Sequence, residues 1–267
     1  MQGKESGEET ASMSFWEHLD SLRWMLLRIL GVVAGWFVVF FLLMPKLFDA
    51  FVLAPCRNDF VTYRWLREIQ AKVMPSLAGQ FEEFHVELIN IQLTTQFFLH
   101  FTTALWFALI CSVPFILWQI WRFVRPALYE NERKGMRSAF LLSSLFFYLG
   151  AALGYWLVFP LTLRFLVGYE LSSLVPNTLT LTSYMDNFLM LILFMGLAFQ
   201  LPLLLTLLQR IGVLSRQLLV AHRKHAFVIL VVLSAIITPT GDPFTLLLVA
   251  LPLYLLYECS IFMMRKA

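Results

Sequence analysis

Charge is scarce. Only 14% of the 267 residues are Asp, Glu, Lys or Arg, where a soluble domain carries about a quarter. Cysteine is scarce too: Cys56, Cys111 and Cys259 lie far apart with no C-x-x-C spacing, which argues against a disulfide framework and a zinc site. No metal-ligand cluster, nucleotide loop or triad spacing occurs, and Ser183 and His222 are near no elbow motif. The apolar runs described below contain no Asp, and His100 stands alone near the end of one. An intramembrane protease would need a dyad, an aspartate pair or a zinc motif there. No enzymatic activity, cofactor or metal is therefore expected. Disorder, coiled coil and a soluble nucleic-acid binder are excluded by composition. The first 14 residues are polar and lack a cleavage-site pattern. The first apolar run exceeds a signal-peptide core, so it reads as a retained span.

What the chain has is apolar surface: 60% hydrophobic residues, 26 Phe and 8 Trp, with a mean hydropathy of +0.75. Six apolar runs stand out. They cover 26–44, ending at Pro45; 97–120, carrying Pro114; 138–159, ending at Pro160; 188–208, carrying Pro202; 226–237, ending at Thr238-Pro239; and 244–264. Unpaired backbone is forbidden in lipid, so spans are helices or closed barrels. The runs lack the two-residue alternation of barrel strands, so they are helices. Internal prolines kink helices and free backbone groups that neighbouring helices must satisfy. The fold expected is all-α and polytopic, with six transmembrane helices, the fifth and sixth short. The fifth, at about 12 residues, reaches only about 18 Å against a core of about 30 Å, and Glu258 interrupts the sixth. Residues 1–14 form a polar tail and 15–267 one membrane domain, with a long first outer loop over about 45–95. Within that loop, 47–55 reads as an amphipathic interfacial piece and 60–77 as a surface helix.

Orientation follows from Lys and Arg. One side holds Lys4, Arg23, Arg28, Arg122, Arg125, Arg133, Lys134, Arg137, Arg210, Arg216, Arg223, Lys224, Arg265 and Lys266. The other has only Lys46, Arg57, Arg64, Arg67, Lys72 and Arg164. Both termini are thus expected in the cytoplasm. The loop after the second run, Trp121-Arg-Phe-Val-Arg-Pro-Ala-Leu-Tyr-Glu-Asn-Glu-Arg-Lys134, has basic and aromatic residues that a membrane anchor explains. The anchor does not explain Glu130 and Glu132. A carboxylate beside an aromatic at the membrane face suits a cationic ligand, by ion pairing and stacking.

The stretch Phe-x-x-Pro-Ala-Leu-Tyr-x-x-Glu-Arg from Phe123 to Arg133 resembles the signature of the TatC family, core membrane subunits of the twin-arginine protein translocase. Four further stretches are similar in order: His18-Leu19-x-x-Leu22-Arg23, Phe159-Pro160-Leu161, Thr238-Pro239-x-x-Asp242-x-Phe244, and Leu251-Pro252-x-Tyr254-x-x-Tyr257-Glu258. The resemblance implies a bacterial inner-membrane receptor for twin-arginine signal peptides of folded precursor proteins. It implies recruitment of single-span TatA- and TatB-type subunits into an oligomeric Tat complex, with transport driven by the proton-motive force. Carried over by motif, Phe123 and Glu132 are the prime signal-peptide-binding residues, with Leu19, Arg23, Pro126, Leu128, Tyr129 and Arg133 around them. Gln200, Thr238, Asp242 and Glu258 are carried over as partner-subunit contacts. Two places depart from the family pattern: Ser21 where a Glu is usual, and Leu246 where a Gln is usual.

Other readings stand beside these. Gln200 could instead bond a carbonyl freed by Pro202, and Glu258 could snorkel or pair with Tyr254. His100 reads as an interfacial histidine. A secondary solute transporter or channel is the competing class, but it needs charges lining an intramembrane path. Apart from Arg28 and Gln119 close to the ends of their runs, only Gln200, His100 and Glu258 lie within the runs. The basic asymmetry predicts that an impermeant thiol reagent applied from outside labels cysteines placed at about 57–85, at about 170–182 or near Gly241. Cysteines at 128–134 and 214–222 stay unlabelled. Labelling of the 128–134 loop from outside overturns this orientation.

Overall fold

The computed structural model describes residues 15–73, 86–124, 130–169, 172, 178–210 and 212–264. The helices are α1 (Phe15–Leu47), α2 (Val61–Val73), α3 (Thr95–Val124), α4 (Glu130–Leu153), α5 (Phe159–Gly168), α6 (Leu181–Ala198), α7 (Leu201–Arg210), α8 (Arg216–Ala221), α9 (Arg223–Ile237) and α10 (Pro243–Met263). Six spans result: α1, α3, α4 continued by α5, α6 continued by α7, α9 and α10. The end of the bundle bearing the start of α1 is here called proximal, and the end bearing α2 distal.

Two expected ends are not ends. Helix α1 runs through Pro45 to Leu47 and relaxes into a π turn, Phe48–Val52. The third span likewise passes Pro160. A π turn at Gly154–Val158 precedes it, and α5 carries the helix on to Gly168. A proline inside a helix leaves the carbonyl four residues earlier without its usual donor, and in each case a neighbouring side chain supplies one. His100 Nε2 lies 2.8 Å from the Phe41 carbonyl, four residues before Pro45. Its ring stacks on Phe41 at 4.3 Å. Tyr148 donates to the Ile110 carbonyl, four before Pro114, at 3.2 Å. The Thr62 hydroxyl donates to the Trp156 carbonyl, four before Pro160. At Pro202 the helix breaks instead, between α6 and α7 at Phe199-Gln200.

The first distal loop is built into the bundle by the same logic. Tyr155 donates to Phe51 O at 2.9 Å and Tyr184 to Val52 O at 2.5 Å, covering carbonyls of the π turn after α1. The Tyr63 hydroxyl lies 3.0 Å from Pro55 O and 3.3 Å from Pro160 O. A two-residue parallel ladder pairs β1 (Leu88–Ile89) with β2 (Leu179–Thr180), stitching the first distal loop to the second.

Helices α4 and α6 approach closely because glycine faces them. A Cβ on Gly150 would stand 2.5 Å from the Met195 carbonyl, and one on Gly196 would stand 2.8 Å from the Phe147 ring. Gly150 and Gly154 form the small-x-x-x-small spacing that lets membrane helices meet backbone to backbone. Gly31 and Gly35 have the same spacing on α1 but nothing within 4 Å.

The fifth span is short as expected: α9 has 15 residues, about 23 Å at the helical rise. The sixth is not. Helix α10 has 21 residues, about 31 Å, and Glu258 sits inside it because its charge is paired.

Gly150→Ala must move the α6 backbone, an overpacking cost of about 1–3 kcal/mol. Thermal unfolding in detergent should show that loss for Gly150→Ala, while Gly35→Ala stays within about 0.5 kcal/mol of the parent. Equal midpoints for the two variants would refute the close α4–α6 contact.

Candidate functional site

Helix α1 and α3 pack antiparallel, with Phe41 against His100 and Phe37 against Phe101. That pairing brings the first turns of α1 to the same end as the last turn of α3. Leu19 and Arg23 are one helical turn apart on α1, and both are exposed. Phe123 is half-buried in the last turn of α3. Glu132 and Arg133 lie in the first turn of α4. Their side chains, and Pro126, Leu128 and Tyr129 altogether, lie outside the described residues. The sequence places Phe123 and Glu132 in the loop after the second run. They sit instead on two long helices joined by it.

A small apolar cluster ties the last turns of α3 to α4 at Phe140, ten residues after α4 begins. Trp121 and Phe140 are buried with ring centroids 5.3 Å apart, and Leu117, Ile120, Val124, Leu203 and Leu207 pack around them. The cluster joins α3, α4 and α7, so the loop between α3 and α4 leaves from a rigid base. Glu130 and Glu132 also have a local role that their sequence context did not reveal. They open α4, and acids in a first turn complement the partial positive charge of a helix N-terminus.

The other predicted residues are distributed along the second half of the chain. Gln200 sits at the α6–α7 break. Its Oε1 accepts from the Ser143 hydroxyl at 2.6 Å and its Nε2 donates to the Ser143 carbonyl at 3.0 Å. The amide therefore clamps α4 and does not serve the carbonyl freed by Pro202. Thr238 caps the end of α9 and is buried. Its backbone N–H bonds Ser234 O at 2.9 Å. Asp242 is the N-cap of α10, accepting from the Thr245 N–H at 2.7 Å and the Thr240 hydroxyl at 2.6 Å. Partial burial pushes its carboxyl up, but these hydrogen bonds outweigh that and hold it below its ordinary range. Gly241 turns the chain just before it with φ 60°, a conformation that favours glycine. At the proximal end Glu258 accepts from Arg223 at 2.9 Å and from the Tyr254 hydroxyl at 3.0 Å. The Tyr254 pairing was legible from its one-turn spacing. Arg223 was not, since it lies 35 residues away. Thr62, Tyr148 and Ser143 were missed entirely. The prolines announced that carbonyls needed donors, but nothing in the sequence said which.

The sequence model of the family described as Sec-independent protein translocase protein (TatC) matches residues 17–252. Among curated relatives, the Sec-independent protein translocase protein TatC of a Blattabacterium from Periplaneta americana is 33% identical, covering 95% of this chain and 96% of that one. The Deinococcus radiodurans protein of the same name is 31% identical over 98% of this chain and 89% of its own. The Aquifex aeolicus one is 40% identical over 68% and 75%. A crystal structure described as the twin-arginine translocase receptor TatC in the detergent DDM superposes with a TM-score of 0.73 at 33% identity. It covers 94% of this chain and 100% of that one. With the fold, the motif order and the full-length likeness in agreement, the chain belongs to the TatC family, the membrane core of the Sec-independent, twin-arginine protein translocase.

Proposed function

We propose that the proximal end of the bundle is the cytoplasmic receptor surface for twin-arginine signal peptides of folded precursors. The observation that carries this is convergence: exposed Leu19 and Arg23 on α1, Phe123 ending α3 and Glu132 opening α4 all belong to one end. Phe123 offers a face for a guanidinium to stack on, and Glu132 a carboxylate for its fork of donors. Pro126, Leu128, Tyr129 and Arg133 shape the connecting loop. Both termini then lie in the cytoplasm, as the basic asymmetry requires, and the membrane is the bacterial inner membrane. The chain does no bond chemistry. It works as a subunit of an oligomeric Tat complex, and transport draws on the proton-motive force.

Single-span TatA- and TatB-type partners would bind along the second half of the chain. Gln200 presents a polar spot at a helix break. Asp242 and Thr238 hold the distal turn, and Glu258 anchors the α9–α10 hairpin. The short α9 leaves this hairpin mismatched to a full bilayer, at a cost of fractions of a kcal/mol per Å, which a partner helix can relieve. A solute path is not supported. Among the described residues, His100, Gln200 and Glu258 each have partners within the chain, and no chain of ionisable groups joins them.

Each charge-assisted hydrogen bond is worth about 1.5–3 kcal/mol. Glu132→Gln should therefore weaken twin-arginine peptide binding about tenfold or more, measured in detergent at low salt. Glu130→Gln should cost less. Phe123→Ala should weaken binding with little change in salt dependence, since stacking is screened less than an exposed ion pair. Equal peptide affinity for Glu132→Gln and the parent overturns the assignment.

A further inference from the structure

Helix α2 has an apolar face that the bundle covers only in part. Thr62, Tyr63 and Leu66 turn inward: Thr62 bonds the Trp156 carbonyl, Tyr63 is fully buried, and Leu66 packs against the main core. Beside this docked edge runs a second stripe, Val61, Trp65, Ile69 and Val73, spaced one turn apart along the whole helix. These residues are 45%, 67%, 54% and 69% exposed. The opposite edge is charged, with Arg64, Glu68 and Lys72 exposed. Half-buried Arg67 is held by the Asn58 side chain and carbonyl at 3.2 and 3.1 Å. A tryptophan in a continuous apolar stripe, flanked by predominantly basic residues, is the composition of a helix lying in a membrane interface.

The position of α2 agrees. Its first turn touches the third span at Trp156. That residue lies 16 positions after Phe140, where the apolar part of the span begins, or about 24 Å along the axis. The apolar span runs on for 12 positions to Gly168, so α2 docks on its distal half. Trp156 and Leu157 are themselves exposed there. The stripe thus continues the lipid-facing surface of the third span.

We infer that α2 is an interfacial helix: its Val61–Trp65–Ile69–Val73 edge enters the distal leaflet, while Arg64 and Lys72 take anionic phospholipid headgroups. The occupant of the stripe is lipid, because the stripe is continuous with lipid-facing side chains and its flank is net basic. The docked turn then has a second consequence. The hydroxyl that satisfies the Trp156 carbonyl is held in place by a helix whose other edge is anchored in the bilayer, so lipid composition acts on the break in the third span.

The test uses the full-length protein, with Cys56, Cys111 and Cys259 replaced by Ala, reconstituted in phosphatidylcholine vesicles with and without phosphatidylglycerol. Single cysteines at 65, 69 and 73 carry an environment-sensitive fluorophore, and those at 64 and 68 serve as the charged-edge comparison. Nitroxide lipids should quench positions 65, 69 and 73 at least about twofold more than 64 and 68, and aqueous iodide should show the reverse. Phosphatidylglycerol should deepen the quenching at 69, and the double variant Arg64→Gln, Lys72→Gln should remove that dependence. Equal lipid quenching at all five positions overturns the proposal. So does a short spin-label distance between copies at position 69 without lipid quenching, which would make a second copy the occupant. Quenching that is stripe-specific but indifferent to phosphatidylglycerol overturns the headgroup part.

Discussion

A carbonyl in the hydrocarbon core has no water to turn to, and this chain places prolines where they create such carbonyls. Three of them, at Phe41, Ile110 and Trp156, are met by His100, Tyr148 and Thr62 from other elements. Leaving a buried acceptor unpaired costs about 1–3 kcal/mol. Each of these three prolines therefore prescribes a neighbour. The packing of α1 on α3, of α3 on α4, and of the first distal loop on the third span follows those prescriptions. The loop is then no insertion between two spans. It supplies Thr62 and Tyr63 to the third span and receives donors from Tyr155 and Tyr184 in return.

This divides the molecule mechanically. The distal end is cross-braced by tyrosines, by the α2 dock and by the β1–β2 ladder. Among the described residues, the proximal end shows an aromatic knot at Trp121 and Phe140 and an ion pair between Arg223 and Glu258. Exposed side chains lie around those two fixed points.

The spans were legible in the sequence because long apolar runs have one solution in lipid. Their ends at Pro45 and Pro160 were misread for a physical reason. Proline ends a helix when nothing replaces the lost hydrogen bond, and here the replacements come from residues 59 and 94 positions away. A single sequence carries no signal at that range. The same distance hid Ser143 from Gln200 and Arg223 from Glu258, whereas Tyr254, one turn from Glu258, could be named. The binding motif was readable as a pattern of residue types. Its placement on two long helices was not, because the polar start of α4 looks like loop until Trp121 and Phe140 are seen to pin it.

The most direct measurement is a double-mutant cycle between Pro114 and Tyr148, read by thermal unfolding in detergent. Alanine at 114 restores an N–H to the Ile110 carbonyl, making the Tyr148 hydroxyl redundant. Tyr148→Phe should then destabilise the parent by about 1 kcal/mol and cost almost nothing in the Pro114→Ala background. If Tyr148→Phe has the same effect in both backgrounds, the proline-freed carbonyl is not what the tyrosine serves, and the organising constraint proposed for this bundle is wrong.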